Sequence, residues 1–209
     1  METELDADKL RKLLEDVQSG RISAEEAMEA LRGMPYEDIG FAKLDTHRHL
    51  RTGFPEVVFC QNKTPEQAAE IVKKIAERSG RVLATRVSRE TAEAIKAEVK
   101  NAVYHETARI LSVEKTKRPK PKRSGKYILV VCAGTADIPI AEEAAVTSEI
   151  LGSRVERAYD VGVAGLHRLL DQKERLFGAN VIVVAAGMEG ALPSVVGGRV
   201  ESPVIAVPT

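Results

Sequence analysis

The chain has 209 residues, enough for one large domain or two small ones. Apolar residues make up 44% and charged residues 30%, which describes a globular protein rather than a disordered one. Lys+Arg and Asp+Glu number 31 each, and this balance argues against a general electrostatic pull toward nucleic acid or anionic lipid.

The first 35 residues read as a helix pair. Leu5, Leu10, Leu13, Leu14 and Val17 recur at helical spacing, and Ser19-Gly20 ends the run. Ser23-Ala24-Glu25-Glu26 is a capping box opening a second helix to about Leu31. Residues 36–114 read as a small α/β domain. Its first part, 36–55, is irregular and charged, with Asp45, His47, Arg48, His49 and Arg51. Then come a strand at Glu56–Cys60, a helix opening at Thr64-Pro65-Glu66, a strand at Arg81–Val87 and a helix capped by Ser88. Val103–Val113 supplies one or two further strands.

Residues 115–126 hold seven basic residues and two prolines, a solvated linker or a phosphate-facing strip. From residue 127 the pattern is that of a parallel sheet. Tyr127–Cys132, Arg154–Asp160, Asn180–Ala186 and Pro203–Pro208 are strands, and helices lie at Ile138–Leu151, from Val163 and from Leu192. The fold class is therefore α/β, a small N-terminal α/β domain followed by a parallel sheet with flanking helices. The sheet breaks off after its fourth strand, so the chain is expected to be a piece of a longer protein, or its open edge to be covered in an oligomer.

With aromatics at 4% and no Trp, the core must be aliphatic. Cys60 and Cys132 cannot make a disulfide framework. No apolar run approaches the roughly 20 residues of a membrane span. The acidic N-terminus lacks the apolar core of a signal peptide. A soluble, cytoplasmic protein is expected, with no membrane or nucleic-acid partner.

Ligands of open α/β sheets bind at the carboxyl ends of the strands. Three strands here end in Gly-containing turns. The first, Ala133–Pro139, holds Gly134, Thr135 and Asp137, and leads into a helix whose free amides suit an anion. Asp137 suits ribose hydroxyls or caps the helix. The second, Tyr159–Arg168, places Asp160 and His167 beside a helix start, where a histidine can move protons near neutral pH. The third, Ala185–Ser194, holds Glu189 between Gly187 and Gly190, then Pro193 at a first helical position and Ser194. Together they read as a nucleotide-like anion site with Asp137, Asp160, His167 and Glu189 as its titratable groups. Cys132 ends a buried strand and suits packing, and nothing in the sequence activates Cys60. No metal-ligand spacing is present.

These motifs resemble the LarB family. They run Ala133-Gly134-Thr135-Ala136-Asp137-Ile138-Pro139, then Tyr159-Asp160-Val161-Gly162-Val163-Ala164-Gly165-Leu166-His167-Arg168, then Ala186-Gly187-Met188-Glu189-Gly190-Ala191-Leu192-Pro193-Ser194. Upstream, Leu44-Asp45, His47-Arg48, Arg51–Val57 and Lys63-Thr64 resemble the family's N-terminal region. The C-terminal part is in turn similar to PurE-type aminoimidazole ribonucleotide carboxylases, with a flavodoxin-like sheet.

The resemblance implies carboxylation of the pyridinium ring of nicotinic acid adenine dinucleotide and cleavage of its phosphoanhydride. The products are AMP and pyridinium-3,5-biscarboxylic acid mononucleotide, the precursor of the nickel-pincer nucleotide. Carbon dioxide or bicarbonate is the co-substrate, no cofactor is covalently bound, and magnesium is optional. A cysteine thiolate adds to the ring so that it can attack carbon dioxide. Glu189 is suited to the ring proton, with His167 and Asp160 positioning the nucleotide or shuttling protons. Gly134, Thr135, Asp137, Gly187, Gly190 and Ser194 line the nucleotide. Asp45, Arg48, Arg51 and Lys63 belong with the substrate-binding residues, and the cations among them neutralise its anionic charge. A homo-oligomer, from dimer to octamer, is implied.

The resemblance places the family's nucleophilic cysteine beyond Thr209, and Cys132 stands where the family commonly has Ser. The chain as written is therefore expected to bind the nucleotide poorly and not to carboxylate it. Two other readings are a PurE-type carboxylase or mutase and a non-catalytic nucleotide-binding protein.

Overall fold

In the computed structural model, residues 7–32, 37–45, 48, 56–79, 81–114 and 125–209 are described. His47, His49, Arg51 and all but the last two residues of the basic stretch 115–126 lie outside them.

The helix pair forms as the sequence predicts, α1 Ala7–Gln18 and α2 Ala24–Arg32. The capping box closes with the Glu26 N–H on Ser23 Oγ at 3.0 Å and the Ser23 N–H on Glu26 Oε2 at 2.7 Å. Within the stretch read as irregular, β1 Glu37–Asp38 and β2 Lys43–Leu44 pair antiparallel. The turn between them is local chemistry: Asp38 accepts the Gly40 N–H at 2.8 Å, and Gly40 takes a φ of +87°. Two-residue strands carry no alternation that a sequence pattern could register.

The N-terminal sheet holds β3 Val57–Phe59, β4 Arg81–Thr85, β5 Ala102–His105 and β6 Ile110–Glu114, in the order β3-β4-β6-β5. β3 and β4 are parallel, joined by α3 Pro65–Ser79. The stretch Val103–Val113 resolves into two strands, the hairpin of β5 and β6. Ser88 caps α4, Arg89–Glu98, by accepting the Thr91 N–H at 3.0 Å. One sheet face buries Val58, Val82, Ala84, Leu111 and Val113 against Val72 of α3 and Ile95 of α4.

The C-terminal sheet is wholly parallel: β7 Ile128–Cys132, β8 Val155–Ala158, β9 Val181–Ala186 and β10 Val204–Pro208. Its order is β10-β9-β7-β8. The chain leaves β7 for β8 on one side and returns to β9 on the other, so the sheet has a switch point between β7 and β9. This is the flavodoxin-like order expected. The β7–β8 connection is α5, Ile138–Ile150. The opposite face is covered by α6 Leu166–Leu170, α7 Lys173–Gly178 and α8 Ala191–Gly197. α7 was not foreseen, being six residues at the end of a connection that already held a helix.

α5 is apolar on two sides because both sides are covered. Ala141 and Ala145 pack on Val130, Cys132 and Ala185 of the C-terminal sheet. Val146 and Ile150 pack on Leu83, Ala108 and Ile110 of the N-terminal domain. A helix shared by two sheets has little of the one-sided pattern of a surface helix. Its carboxylates are held at the margins. Glu143 meets Arg86 at 3.0 Å, and Glu142 and Glu149 both take Arg157 of β8, at 2.9 and 2.6 Å.

Ile110 is fully buried in the contact between the domains. Ile110→Ala should lower unfolding free energy by about 2–5 kcal/mol. Arg86→Ala, at a partly exposed ion pair, should cost about 1 kcal/mol or less. Urea denaturation of both variants checks the contrast.

Candidate functional site

The carboxyl ends of the parallel strands meet, and backbone contacts bring them together. The Ala133 N–H donates to the Ala185 carbonyl at 3.0 Å, which ties the end of β7 to β9. The Val161 N–H donates to the Cys132 carbonyl at 3.1 Å, which ties the turn after β8 to β7. The Thr209 N–H donates to the Ala186 carbonyl at 3.0 Å, which brings in the end of β10. Gly162 packs so tightly on the first turn that a Cβ there would stand 2.9 Å from the Ala133 carbonyl oxygen. The sequence placed these turns on neighbouring strands, and the structure brings them to one edge.

In the first turn, Gly134 precedes a 3-10 turn, Thr135–Asp137, which runs into α5. Asp137 reaches back to accept the Gly134 N–H at 2.8 Å on Oδ2. Its other oxygen, Oδ1, accepts the Thr209 hydroxyl at 2.6 Å. Asp137 thus latches the ends of β7 and β10 to each other. Its hydrogen bond reaches back to the turn rather than forward to an amide of α5, so it does not cap that helix in the usual way. Thr135 is exposed at the mouth.

In the second turn, Asp160 has a φ of +56°, a left-handed conformation that few non-glycine residues adopt. Its carboxylate meets Arg168 Nη1 at 2.7 Å. His167 is exposed in the first turn of α6, as read from the sequence. Arg168 is the charged residue at this strand tip that sequence reasoning passed over. It lies within the second motif, and the acidic residue eight positions before it was the available signal.

In the third turn, Glu189 is exposed and its carboxylate folds back over Gly187, where a Cβ would push it aside. Gly190 takes a φ of +70°, the reason for glycine in this turn. α8 begins at Ala191, so Pro193 stands third in the helix and not first. Ser194 is committed to its own helix, its hydroxyl donating to the Gly190 carbonyl at 2.8 Å.

The N-terminal candidates gather elsewhere. The Asp45 N–H donates to Glu56 Oε2 at 3.0 Å. Burial pushes the Glu56 carboxyl above its usual range and the Asp45 charge adds to this, while the Asp45 N–H and the Arg48 charge oppose it. Lys63 Nζ donates to the Phe59 carbonyl at 2.7 Å, at the end of β3. Arg86, just past β4, pairs with Glu143 in the first half of α5. The loops following β3 and β4 therefore lie toward the end of α5 that opens on the strand tips.

Neither cysteine is an activated thiol. Cys60 is 4% exposed, and burial raises its pKa from 9.0 to about 11, with Lys63 opposing. Cys132 is fully buried, and its thiol faces the Gly134 carbonyl at 3.5 Å. Burial raises its pKa against an opposing hydrogen bond from the Asp160 backbone, and the charges of Asp137, Asp160 and Glu142 push it further up. Among the described residues, no group of His, Cys, Asp and Glu is arranged to hold a metal ion, and no helix is long and apolar enough to cross a membrane.

Residues 36–116 match the LarB/PurE-like N-terminal domain, and residues 127–209 match AIR carboxylase. The chain is also 40% identical, over 210 residues, to an uncharacterized protein of Methanocaldococcus jannaschii. That alignment covers 96% of this chain and 80% of the other.

Two outcomes test the site. Gly162→Ala forces a backbone shift at the Ala133 carbonyl and should cost about 1–3 kcal/mol, read as a lowered urea midpoint. The Cys60 thiol ionises in the unfolded chain from about pH 9 and in the folded one only near 11. Between these values the unfolded chain holds fewer protons, so stability falls as pH rises. Cys60→Ala should remove that part of the decline, measured by denaturation from pH 8 to about 11.

Proposed function

The chain belongs to the LarB family of PurE-like carboxylases, and from that premise we propose that it acts on a pyridine dinucleotide. The substrate of this reading is nicotinic acid adenine dinucleotide, the co-substrate carbon dioxide or bicarbonate. The products are AMP and pyridinium-3,5-biscarboxylic acid mononucleotide, on the way to the nickel-pincer nucleotide. The observation supporting this reading is the meeting of four strand ends around Gly134, Gly162 and Gly187 at the switch point of a parallel sheet.

The chemistry divides among the turns. A pyridinium ring is too electron-poor to attack carbon dioxide. A thiolate adding para to the ring nitrogen turns the ring into a neutral enamine. The adjacent carbon then forms a bond to carbon dioxide, loses its proton, and expels the thiolate as aromaticity returns. Glu189, exposed over Gly187, takes that proton. His167, exposed at the start of α6, is placed to exchange protons or position the nucleotide. Arg168 supplies positive charge to a substrate anion. Asp45, Arg48, Arg51 and Lys63 are the substrate-binding residues of this reading in the N-terminal domain, with Lys63 on the loop after β3 and Arg51 outside the described residues. Cys60 and Cys132 are buried with raised pKa values and do not serve as the thiolate. Cleavage of the anhydride draws on the same cations, with magnesium optional.

The test is incubation with nicotinic acid adenine dinucleotide and bicarbonate, reading AMP, carboxylated mononucleotide and protein mass separately. The reading expects the dinucleotide to bind weakly, both cysteines to stay unmodified and, with neither available as the thiolate, no carboxylated product from these 209 residues. It expects Glu189→Gln to leave binding within about twofold, because this carboxylate serves the ring proton and not the grip on substrate. A stable ring adduct on Cys60 or Cys132 contradicts the assignment. Turnover of an aminoimidazole ribonucleotide in place of the dinucleotide favours the PurE-type reaction, to which residues 127–209 are also similar.

A further inference from the structure

We propose that Asp160 is a positioning residue rather than an acid or base, and that with Gly165 it forms a seat for the Arg168 guanidinium at the mouth of the site. This rests on the functional reading above only for the identity of the anion that Arg168 meets.

Three observations support the seat, two at Asp160 and one at Gly165. Asp160 holds Arg168 Nη1 at 2.7 Å. It does so from a left-handed backbone, φ +56°, a conformation that a non-glycine residue keeps where the surroundings fix it. The surroundings here are the Val161 N–H bound to the Cys132 carbonyl and Gly162 pressed on Ala133. The other side of the guanidinium lies over Gly165. A Cβ on that glycine would stand 2.6 Å from Arg168 Nε and 3.0 Å from Nη2. Gly165 has a φ of −125°, outside the left-handed region that favours glycine, so the space it leaves is what bears on Arg168.

The consequence is a divided guanidinium. Nη1 is committed to Asp160, and among the described residues no acceptor is paired with Nε or Nη2. A fork of two N–H donors in fixed orientation is suited to a phosphate or carboxylate oxygen pair. Fixing the fork in advance lowers the entropy lost on binding, because a free arginine side chain has many rotamers. An Asp already engaged in an ion pair is poorly placed to take a proton from substrate. Asp160 therefore acts through Arg168, and substrate meets the arginine.

The seat predicts a specific pattern in two variants. Asp160→Asn removes the charge that holds Nη1, and Gly165→Ala fills the space under Nε with a methyl group. The second variant needs only the far end of a flexible side chain to move, so the fold should survive it. The first readout is the Arg168 guanidinium in 15N-edited NMR at low temperature, whose two Nη groups give separate signals in the wild type, where Nη1 is held, and one averaged signal in both variants. The second is calorimetric titration with nicotinic acid adenine dinucleotide. Each variant should bind about tenfold more weakly, and neither should weaken binding further once Arg168→Met is present. Unchanged, separate Nη signals in both variants overturn the seat. Losses that add to that of Arg168→Met overturn it as well, because Asp160 would then touch substrate itself. Failure of the wild type to bind the dinucleotide, with the Nη pattern as expected, overturns the functional reading and leaves the seat standing.

Discussion

The approach of Gly162 to the Ala133 carbonyl is the contact on which the site depends. With 2.9 Å between that oxygen and the place a Cβ would take, only glycine lets the turn after β8 lie against the turn after β7. The Val161 N–H on the Cys132 carbonyl then fixes the register of the two turns. Asp160, held in a left-handed conformation just before this contact, and Arg168, just after it, inherit their positions from it. Asp137 and Thr209 close the opposite side by joining the ends of β7 and β10. A parallel sheet by itself brings strand ends near one another. These short contacts turn that nearness into one edge with defined side chains.

The N-terminal domain reaches this edge through α5. The helix begins at the first turn of the site and runs between the two sheets, so its position reports on both. Val146 and Ile150 lock it to Leu83, Ala108 and Ile110, while Glu143 and Arg86 pin its first half. Glu142 and Glu149 hold Arg157, and Glu142 also accepts the Tyr159 hydroxyl at 2.9 Å. Burial, with the Glu142 carboxylate adding to it, holds the Tyr159 phenol well above its ordinary range.

Much of this was legible in the sequence for physical reasons. The long apolar runs at Tyr127–Cys132 and Asn180–Ala186 can belong only to strands buried on both faces, and they are β7 and β9. The caps at Ser23 and Ser88 formed as their spacing requires. The three glycine-containing turns fell on adjacent strands, and Gly134, Thr135, Asp160, His167, Gly187 and Glu189 sit at their tips. What the sequence could not give was pairing across distance. Asp137 reads as a cap from its neighbours alone, yet its partner Thr209 is 72 residues away. The sequence around Arg168 does not show its surroundings, because Asp160 and Gly165 come up against the guanidinium only in the fold. Pro193 fell two residues into its helix because Gly190, with its positive φ, opens α8 earlier than proline preference suggests. Lys63, Asp45 and Arg48 were grouped with the strand tips by family likeness. Direct geometry gathers Asp45 and Arg48 about Glu56 and leaves Lys63 on the Phe59 carbonyl.

The central claim is that the ends of these strands form a single receptor for one dinucleotide. Backbone amide NMR during titration with nicotinic acid adenine dinucleotide tests it most directly. The account predicts that the amides of Gly134, Thr135, Gly162, Gly165, Gly187 and Gly190 shift together along one binding curve. Shifts confined to a single turn, or curves with different midpoints for different turns, would contradict it.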